Sequence, residues 1–454
     1  MIVKRILFSV ICALVMLSVN AERIRGSWNG RLQIGMQSLT VVLNIEGDSC
    51  TMDSPDQATL GIPAKLKVCT EDFLIVEIPQ LKVVYEGKKA GEVIDGSFIQ
   101  MGQRFPLTLK AGKPVYNRPQ SPQSPFPYKT EEVTFVNPGD NATLCGTLSY
   151  PIDYKKEKTP VVLLVTGSGL QNRDEEIFYH RPFAVIADHL ARNGVATLRY
   201  DDRGVGGSSG DVRNATTATF ATDAEAGLTY LRDSGKFGKV GLLGHSEGGT
   251  IAFMLAGEGK TDFIVSMAGT GLRGDKVLVG QNRLILPTQG VPEKMADDYC
   301  RALEKMYEYK IAYGATADMY AEMIVTMSMN ETKVNIPEIL RANLVTLAKS
   351  KNAWMNYFIA YDPIEAIRKI KCPVMAINGS LDTQVLSSSN LAVIRDNLQW
   401  KEGDIVREYE GLNHLFQHSK TGAVAEYIKL EETISPEVLN DITTFVQRLK
   451  ETKN

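Results

Sequence analysis

The sequence predicts two folded parts: an α/β domain with a mainly parallel sheet and helices on both faces, and a small all-β domain before it. Short apolar runs alternate with helical patterns through much of residues 128–454. Residues 22–111 instead hold short runs rich in β-branched residues, separated by Gly, Pro, Asp and Ser. Strands that alternate with helices are typical of parallel sheets, whereas closely spaced short strands are typical of sandwiches and barrels.

The composition excludes several classes of protein. The chain has 454 residues, of which 44% are hydrophobic and 23% charged, and its formal net charge is −3. These fractions are ordinary for a globular protein, and they exclude long disorder, collagen and a disulfide-dense mini-scaffold. Because the chain has no excess of positive charge with which to bind phosphates, no nucleic-acid partner is expected.

The first 21 residues have the pattern of a secretory signal peptide. Lys4 and Arg5 precede the apolar run Ile6–Leu17, and Val19 and Ala21 occupy the −3 and −1 positions of a cleavage site. The twelve residues of this apolar run would span only about 18 Å as a helix, which is too short for a membrane anchor. We therefore expect cleavage after Ala21, export to the periplasm or the medium, and no transmembrane anchor in the mature protein.

Cysteine usage gives little support to a metal site or a disulfide scaffold. Five cysteines follow the signal peptide, at positions 50, 69, 145, 300 and 372. Cys50 and Cys69 lie in the same β-rich region and could pair in an oxidising compartment, and five reduced cysteines are the alternative. No CxxC or HExxH motif is present, so neither a metal nor a cofactor is expected.

The predicted domain order is a signal peptide (1–21), a β-rich domain (22–111), a proline-rich linker (112–127) and an α/β domain (128–454). Five prolines between Pro114 and Pro127 make the linker an extended, semi-rigid spacer. Strands of a small sandwich or barrel are predicted in the β-rich domain at Leu39–Ile45, Phe73–Ile78, Leu81–Tyr85 and Gly91–Ile99.

In the α/β domain, apolar runs and helical periodicity place the elements. Strands are predicted at Val161–Val165, Val195–Tyr200, Val240–Gly244, Pro373–Ile377 and Ile405–Tyr409. Helices are predicted at Phe183–Asn193, Thr222–Leu231, Gly248–Leu255 and Pro436–Lys450. The alternation stops at about 275–358, where helices at Glu293–Tyr313, Asp318–Met329 and Pro337–Lys349 predict a helical lid.

Ser246 is the candidate nucleophile. It lies in a G-x-S-x-G motif between a buried predicted strand and an apolar predicted helix, which is the strand–turn–helix context that a nucleophile elbow requires. A second match surrounds Ser208, but the residues after it begin a helix poorly, so that stretch is predicted to be a loop. A purely structural turn serine is the alternative for Ser246.

A serine nucleophile needs a base and an acid that orients the base, and both follow it in this type of domain. His414 comes just after the last predicted strand and is the candidate base, with His418 as the alternative. Asp382, at the carboxyl end of a predicted buried strand, is the candidate acid, and Asp362 is its rival. His245 is expected to have a packing role.

Backbone N–H groups should stabilise the oxyanion that forms during acyl transfer. The residue after the nucleophile, Glu247, is predicted to supply one of them. Ser168 in the TGSG loop after the first predicted strand of the α/β domain is predicted to supply the other, with Gly169 as the second choice. A plain glycine-rich turn is the alternative. The charges of the loop Tyr200–Ser208 are expected to brace that loop and have no catalytic role.

The motifs TGSG, YDDRGVGGSS, GHSEGG, NGSLD and GLNHLF occur in this order over residues 128–454, and in them the chain resembles the α/β-hydrolase superfamily. More narrowly, it resembles secreted bacterial carboxylesterases with a small N-terminal domain and a helical lid. It is also similar to lid-bearing serine aminopeptidases and monoacylglycerol-lipase-like enzymes. The resemblance implies an α/β-hydrolase fold and ester hydrolysis by a Ser–His–Asp triad through an acyl-enzyme, without a cofactor. Thr166 departs from the pattern, since many relatives carry His there.

Three hypotheses about function follow. The first is a carboxylesterase that acts on small or medium acyl esters, so that its partner is a small-molecule ester. The second is a serine peptidase or aminopeptidase, which would need a carboxylate to bind the substrate ammonium. Candidates for that carboxylate in the predicted lid are Glu293, Glu304, Glu308, Asp318 and Glu322. The third is a non-catalytic binding protein with a degenerate site.

Overall fold

The computed structural model describes residues 23–34, 37–57 and 59–449, and the predicted signal peptide lies outside this part of the chain. The chain divides into two compact units, with the boundary between Val115 and Tyr116. The first unit is all-β and the second is α/β, which confirms the predicted fold class. Among the described residues, no helix is both long enough and apolar enough to cross a membrane.

The described part of the first unit is a closed barrel of antiparallel strands, in which β1 pairs with both β2 and β8. The strands are β1 (Gly26–Ile34), β2 (Gln37–Glu46), β3 (Ser49–Ser54), β4 (Thr59–Cys69), β5 (Phe73–Ile78), β6 (Val83–Ala90), β7 (Val93–Gln100) and β8 (Gln103–Ala111). Alternate residues of each strand fill the interior, as Leu74, Val76 and Ile78 do from β5. Closure thus selects the barrel over the sandwich.

The five cysteines after the predicted signal peptide are free thiols. Cys50 and Cys69 both contribute to the barrel core and do not form a disulfide. Burial raises the pKa of the Cys50 thiol to about 12, so this thiol is protonated at neutral pH. Within the described residues, no cluster of His, Cys, Asp and Glu has the composition of a metal site.

The described part of the second unit is built on one sheet with the strand order β16-β15-β14-β13-β11-β12-β10-β9. The strands are β9 (Lys129–Val136), β10 (Thr143–Tyr150), β11 (Val161–Val165), β12 (Ala196–Tyr200), β13 (Val240–His245), β14 (Ile264–Met267), β15 (Val374–Gly379) and β16 (Ile405–Tyr409). β10 pairs antiparallel with β9 and β12, and all the other pairs are parallel. The sheet is therefore mainly parallel, as predicted.

Helices cover both faces of this sheet. They are α1 (Pro182–Arg192), α2 (Thr217–Asp233), α3 (Glu247–Gly257), α4 (Gly274–Thr288), α5 (Glu293–Tyr313), α6 (Ala321–Thr332), α7 (Glu338–Lys349), α8 (Ala353–Ala360), α9 (Ile364–Ile367), α10 (Ser387–Asn397), α11 (Val424–Tyr427) and α12 (Pro436–Arg448). Val161, Leu163 and Val165 of β11 pack in the core with α2 and α3. Val162 and Leu164 of the same strand pack with α1 and α12. A strand buried on both faces has no polar alternation, which explains the continuous apolar run in the sequence.

Helices α4 to α8 lie between β14 and β15 in the chain and have a core of their own, which includes Leu303, Met306, Ile324 and Leu344. We call this helical segment, Gly274–Ala360, the lid. It begins one residue before the predicted lid and ends two residues after it. Helices α4 and α8 were not among the predicted elements.

The proline-rich segment predicted as a linker crosses the boundary between the two units. From Tyr116 onward it belongs to the α/β unit. The Arg118 guanidinium donates hydrogen bonds to the carbonyls of Leu430 at 2.7 Å and Ile428 at 2.8 Å, and the Gln120 amide donates to Ile434 at 2.7 Å. These bonds fix the second half of the segment to the α/β unit.

Candidate active site

The sheet reverses its direction of growth between β11 and β13. From β11 the chain proceeds to β12 on one side and then returns to β13 on the other. The carboxyl ends of strands at such a switch point flank a crevice in which α/β proteins bind ligands. The TGSG loop follows β11 and Ser246 follows β13, and a Cβ placed on Gly167 would lie 3.2 Å from Ser246 Cβ. The two predicted motifs therefore meet at this crevice.

Ser246 joins β13 to α3 in a sharp turn. Its backbone has φ +54° and ψ −117°, a conformation that residues with a Cβ rarely adopt. The turn needs glycine on both sides, because a Cβ on Gly244 would collide with the Gly248 carbonyl and one on Gly248 with the Val165 carbonyl. This is the strand–turn–helix that the motif predicts, and the strain it stores is of order 1–3 kcal/mol.

His414 and Asp382 form a buried pair. His414 Nδ1 lies 2.7 Å from Asp382 Oδ2, and Asp382 Oδ1 accepts 2.8 Å hydrogen bonds from the N–H groups of Gln384 and Val385. Asp382 comes from the loop after β15 and His414 from the loop after β16, where Asn413 caps the turn. With Nδ1 engaged by the carboxylate, Nε2 is the ring nitrogen left to serve as a base.

The structure distinguishes the candidates His414 and Asp382 from their alternatives His418 and Asp362. The His418 side chain is 64% exposed and pairs with Glu432 at 2.9 Å, whereas the His414 side chain is 5% exposed. Asp362 is exposed, and its carboxylate accepts a hydrogen bond from Ile364 N–H at the start of α9. Neither His418 nor Asp362 is among the described residues that line the cavity beside Ser246.

Ser246 and His414 line the same cavity, whose volume is about 210 Å³. One wall is polar and is formed by the loops that carry the predicted oxyanion donors and the acid. The other wall comes from the lid and is mainly apolar. Its residues are Val277, Leu278 and Gln281 from α4, and Trp354 and Phe358 from α8. Trp354 and Phe358 stack with their ring centroids 5.2 Å apart.

The predicted oxyanion donors both border this cavity. Glu247 is the first residue of α3, so its N–H belongs to the helix end at which amides lack an intrahelical acceptor. Ser168 also lines the cavity, whereas its alternative Gly169 does not belong to the described lining. The Glu247 carboxylate has a separate role, because it accepts hydrogen bonds from Thr217 Oγ1 at 2.6 Å and from Trp354 Nε1 at 2.7 Å. It therefore joins the lid to the nucleophile turn.

Two residues beside the nucleophile were missed by the sequence analysis. His245, to which packing was assigned, places Nδ1 2.8 Å from Glu175 Oε1 and Nε2 2.9 Å from the His414 carbonyl. Glu175 Oε1 also accepts a 2.9 Å hydrogen bond from Gly167 N–H. The only signal in the sequence is an acidic pair, Glu175 and Glu176, six residues after the TGSG loop.

The loop after β12, whose charges were expected to brace that loop itself, also contacts the TGSG loop. Asp202 accepts hydrogen bonds from Thr166 Oγ1 at 2.9 Å and from Gln171 N–H at 2.8 Å. Thr166 thus ties the TGSG loop to this neighbouring loop. Ser208 Oγ donates to the Asp201 carbonyl at 2.7 Å and accepts from Cys145 N–H at 2.9 Å, so its hydroxyl has a structural role.

Asp202 gives a prediction about pH. Burial raises its pKa to about 7, and the carboxylates of Glu175 and Asp223 add to the rise, although the hydrogen bonds oppose it. Because the folded-state pKa exceeds the unfolded value near 3.9, the folded state binds this proton more strongly. The stability that Asp202 contributes is complete below about pH 4 and is lost as the pH rises through about 7. Between pH 5 and pH 8, the unfolding free energy of the wild type should therefore fall by roughly 2–4 kcal/mol more than that of the D202N variant.

Urea unfolding at the two pH values measures this difference. D396N makes the same chemical change at an exposed position and should keep the wild-type pH dependence. Equal pH dependence in D202N and the wild type would contradict a raised pKa at Asp202.

The lid carboxylates proposed to bind a substrate ammonium are engaged elsewhere. Glu304 and Glu308 pair with Lys276, Asp318 with Lys351, and Glu322 with Arg341. None of these four, nor Glu293, is among the described residues that line the cavity. The carboxylates at the cavity are instead Glu175 and Glu247.

Part of the α/β unit matches a known protein family. Residues 160–289 match the family described as alpha/beta hydrolase fold. The chain is 24% identical to esterase EstD of Thermotoga maritima over 259 residues, which are 56% of this chain and 54% of the esterase, so the match spans about half of that protein's length. Among solved structures, Pyrococcus furiosus esterase Pf2001 is 16% identical with a TM-score of 0.42, covering 74% of this chain and 98% of its own. Proline iminopeptidase of Mycobacterium smegmatis is 14% identical with a TM-score of 0.40, covering 70% and 99%.

Proposed function

We propose that the second unit, of which residues 160–289 match the alpha/beta hydrolase fold family, is a serine hydrolase that cleaves carboxylic esters through an acyl-enzyme. The observation that carries the proposal is the strained Ser246 at the end of β13, in one cavity with a histidine that is bound to a buried aspartate. Strain of this kind, a buried acid–base pair and a cavity at a switch point together indicate a catalytic centre.

In the proposed mechanism, the Ser246 hydroxyl attacks the ester carbonyl and His414 Nε2 takes its proton. Asp382 holds His414 Nδ1–H and stabilises the imidazolium that forms. The N–H groups of Ser168 and Glu247 donate hydrogen bonds to the oxyanion. The alcohol leaves with the proton from His414. A water molecule, deprotonated by the same histidine, then attacks the acyl-enzyme carbonyl. The bond to Ser246 Oγ breaks, the serine oxygen regains the proton from His414, and the carboxylic acid is released.

The cavity supports uncharged esters with small or medium acyl groups. Its volume of about 210 Å³ is modest, and the lid contributes apolar and aromatic side chains. The lid carboxylates that an aminopeptidase would use lie outside the described lining, so an ester is favoured over an amino-terminal peptide. The Thermotoga maritima relative is an esterase, which is consistent with this choice. The signal-like first 21 residues support export to the periplasm or the medium.

A substrate panel combined with active-site labelling tests the proposal. The panel holds p-nitrophenyl esters from acetate to dodecanoate and aminoacyl p-nitroanilides. We expect hydrolysis of the short and medium esters to exceed that of the long esters and the anilides. A fluorophosphonate probe should label one serine, which peptide mapping should identify as Ser246. Preference for the anilides would favour a peptidase, and failure to label Ser246 would favour a non-catalytic binding protein.

A further inference from the structure

Glu175 and His245 form a second buried acid–imidazole pair behind the candidate triad, and we propose that this pair positions the oxyanion loop and His414 for catalysis. The inference rests on the proposed function, because it assigns a role in that reaction. One carboxylate oxygen, Glu175 Oε1, contacts both Gly167 N–H and His245 Nδ1, and His245 Nε2 contacts the His414 carbonyl. The pair therefore links the loop that follows β11, the last residue of β13 and the loop that follows β16.

The contacts define how many protons the pair holds. Each ring nitrogen of His245 faces an oxygen, one a carboxylate and one a carbonyl, at 2.8 and 2.9 Å. A carbonyl only accepts, so Nε2 carries a proton and donates it to His414 O. A second proton lies between Nδ1 and Glu175. Whichever of these two atoms holds it, the pair is neutral overall and needs that proton to keep both hydrogen bonds.

Other charged groups face this pair from several elements. The ring centroids of His245 and His414 lie 4.8 Å apart, and the Asp382 carboxylate contacts His414 Nδ1. Asp202 approaches Glu175 from the loop after β12. Burial lowers the pKa of His245, but its attraction to Glu175, its hydrogen bonds and the charge of Asp382 outweigh burial and raise the pKa above its usual value. The contact with Glu175 thus favours the protonated form of His245.

Three features of Glu175 lower the stability of the folded state. Its side chain is 2% exposed, its backbone has φ +52°, and its Oε2 is a buried oxygen without a hydrogen-bond partner among the described residues. An unpaired buried oxygen and a left-handed backbone each reduce stability. Unfavourable features of this kind concentrate at functional sites, where they hold a reacting geometry. Here the unfavourable features of Glu175 lie beside the TGSG loop, which carries Ser168, and beside His245, the residue before Ser246.

Positioning matters because small displacements of catalytic groups lower rates strongly. A misplacement of about 1 Å can reduce a rate about 100-fold. Without the proton on Nε2, the His414 carbonyl and the His245 ring would repel each other, and the loop that carries His414 would move. Without Glu175 Oε1, the Gly167 amide would lose its acceptor and the TGSG loop its anchor.

Glu175→Gln is the most informative change, because it keeps the shape and removes the charge. If the amide oxygen occupies the Oε1 position, it accepts from Gly167 and from His245 Nδ1–H, which leaves Nε2 of the neutral ring unprotonated against the His414 carbonyl. If the amide nitrogen occupies that position, it opposes Gly167 N–H. Either arrangement loses one contact. We expect kcat for p-nitrophenyl acetate to fall about 10- to 100-fold while KM changes less than about threefold.

Two further measurements separate positioning from loss of fold. Rates are expressed per active site titrated with fluorophosphonate, so unfolded protein does not count. Because Glu175 raises the pKa of His245, its contribution to stability is present at low pH and lost as the pH rises through that raised pKa. The unfolding midpoint of Glu175→Gln should therefore lie further below the wild type at pH 6 than at pH 9. Glu176→Gln, at an exposed neighbouring position, should match the wild type in every assay.

A double-mutant cycle with His245→Gln completes the test. If the two residues act as a unit, the double variant should be no slower than the slower single variant. Additive losses, or wild-type kcat in Glu175→Gln, would overturn the inference and leave ester hydrolysis by Ser246 intact. If the wild type hydrolyses no ester, the proposed function fails. The unfolding midpoints then test the pair alone. A midpoint difference between Glu175→Gln and the wild type that is equal at pH 6 and pH 9 overturns the inference.

Discussion

Substitution of Ser246 by alanine is expected to lower kcat for p-nitrophenyl acetate by about 10⁶-fold. The acyl-enzyme cannot form without the hydroxyl oxygen, and the remaining acceleration would come only from substrate binding and the oxyanion donors. The fold should persist, because alanine keeps the Cβ and the Ser246 hydroxyl does not cap α3. We therefore expect an unchanged unfolding midpoint together with loss of fluorophosphonate labelling.

Ser208→Ala is the matched control, since Ser208 lies in the other G-x-S-x-G sequence of the chain. Its hydroxyl bridges Cys145 N–H and the Asp201 carbonyl, so its loss should reduce stability by about 1–3 kcal/mol and leave kcat near the wild-type value. The opposite pattern, an active Ser246→Ala enzyme and an inactive Ser208→Ala enzyme, would move the chemistry to the loop after β12.

Elements with a strong periodic signal could be predicted from the sequence almost residue for residue. The strands β5, β11 and β16 and the helix α5 have the predicted bounds. Continuous apolar runs mark strands that are buried on both faces, and a long amphipathic stretch marks a helix. The strand β4 was missed because it contains Gly61 and Pro63 and exposes much of its surface. The helix α4 was missed because Pro287 interrupts its last turn.

Barrel closure depends on a contact that the sequence does not encode locally. The pairs Trp28 with Ala111 and Asn29 with Lys110 join strands about eighty residues apart. The strand runs alone are equally compatible with a sandwich, because both folds use short alternating strands. Only the register between the first and last strands distinguishes them.

The candidate site shows the same difference between local sequence signals and long-range contacts. Ser246, Asp382 and His414 could be predicted as candidates from local motifs and their order, since each follows a strand at one edge of the sheet. Long-range contacts leave no such local signal. His245 meets a carboxylate 70 residues away, and Trp354 meets one 107 residues away. Neither spacing has a periodic or compositional signature.

Asp382→Asn is expected to lower kcat about 10⁴-fold with little effect on the fold, because it reverses the hydrogen bonding of His414. Asp382 Oδ1 accepts from two backbone N–H groups, those of Gln384 and Val385. In the variant, the amide oxygen must occupy this position, since an amide NH₂ there would oppose two donors. The NH₂ group then faces His414 Nδ1 and donates to it. The ring is thereby held with its proton on Nε2, the nitrogen that must accept the proton of Ser246.

Asp362→Asn provides the comparison, because Asp362 is the rival acid by sequence position and lies in an exposed turn at the start of α9. It should keep kcat within about twofold of the wild type. Both variants should still bind substrate with similar KM, since neither removes a group from the apolar wall of the cavity. A larger loss of kcat in Asp362→Asn than in Asp382→Asn would assign the acid to Asp362. A loss confined to Asp382→Asn, with fluorophosphonate labelling slowed in proportion, would mean that the tautomer of His414 limits the attack by Ser246.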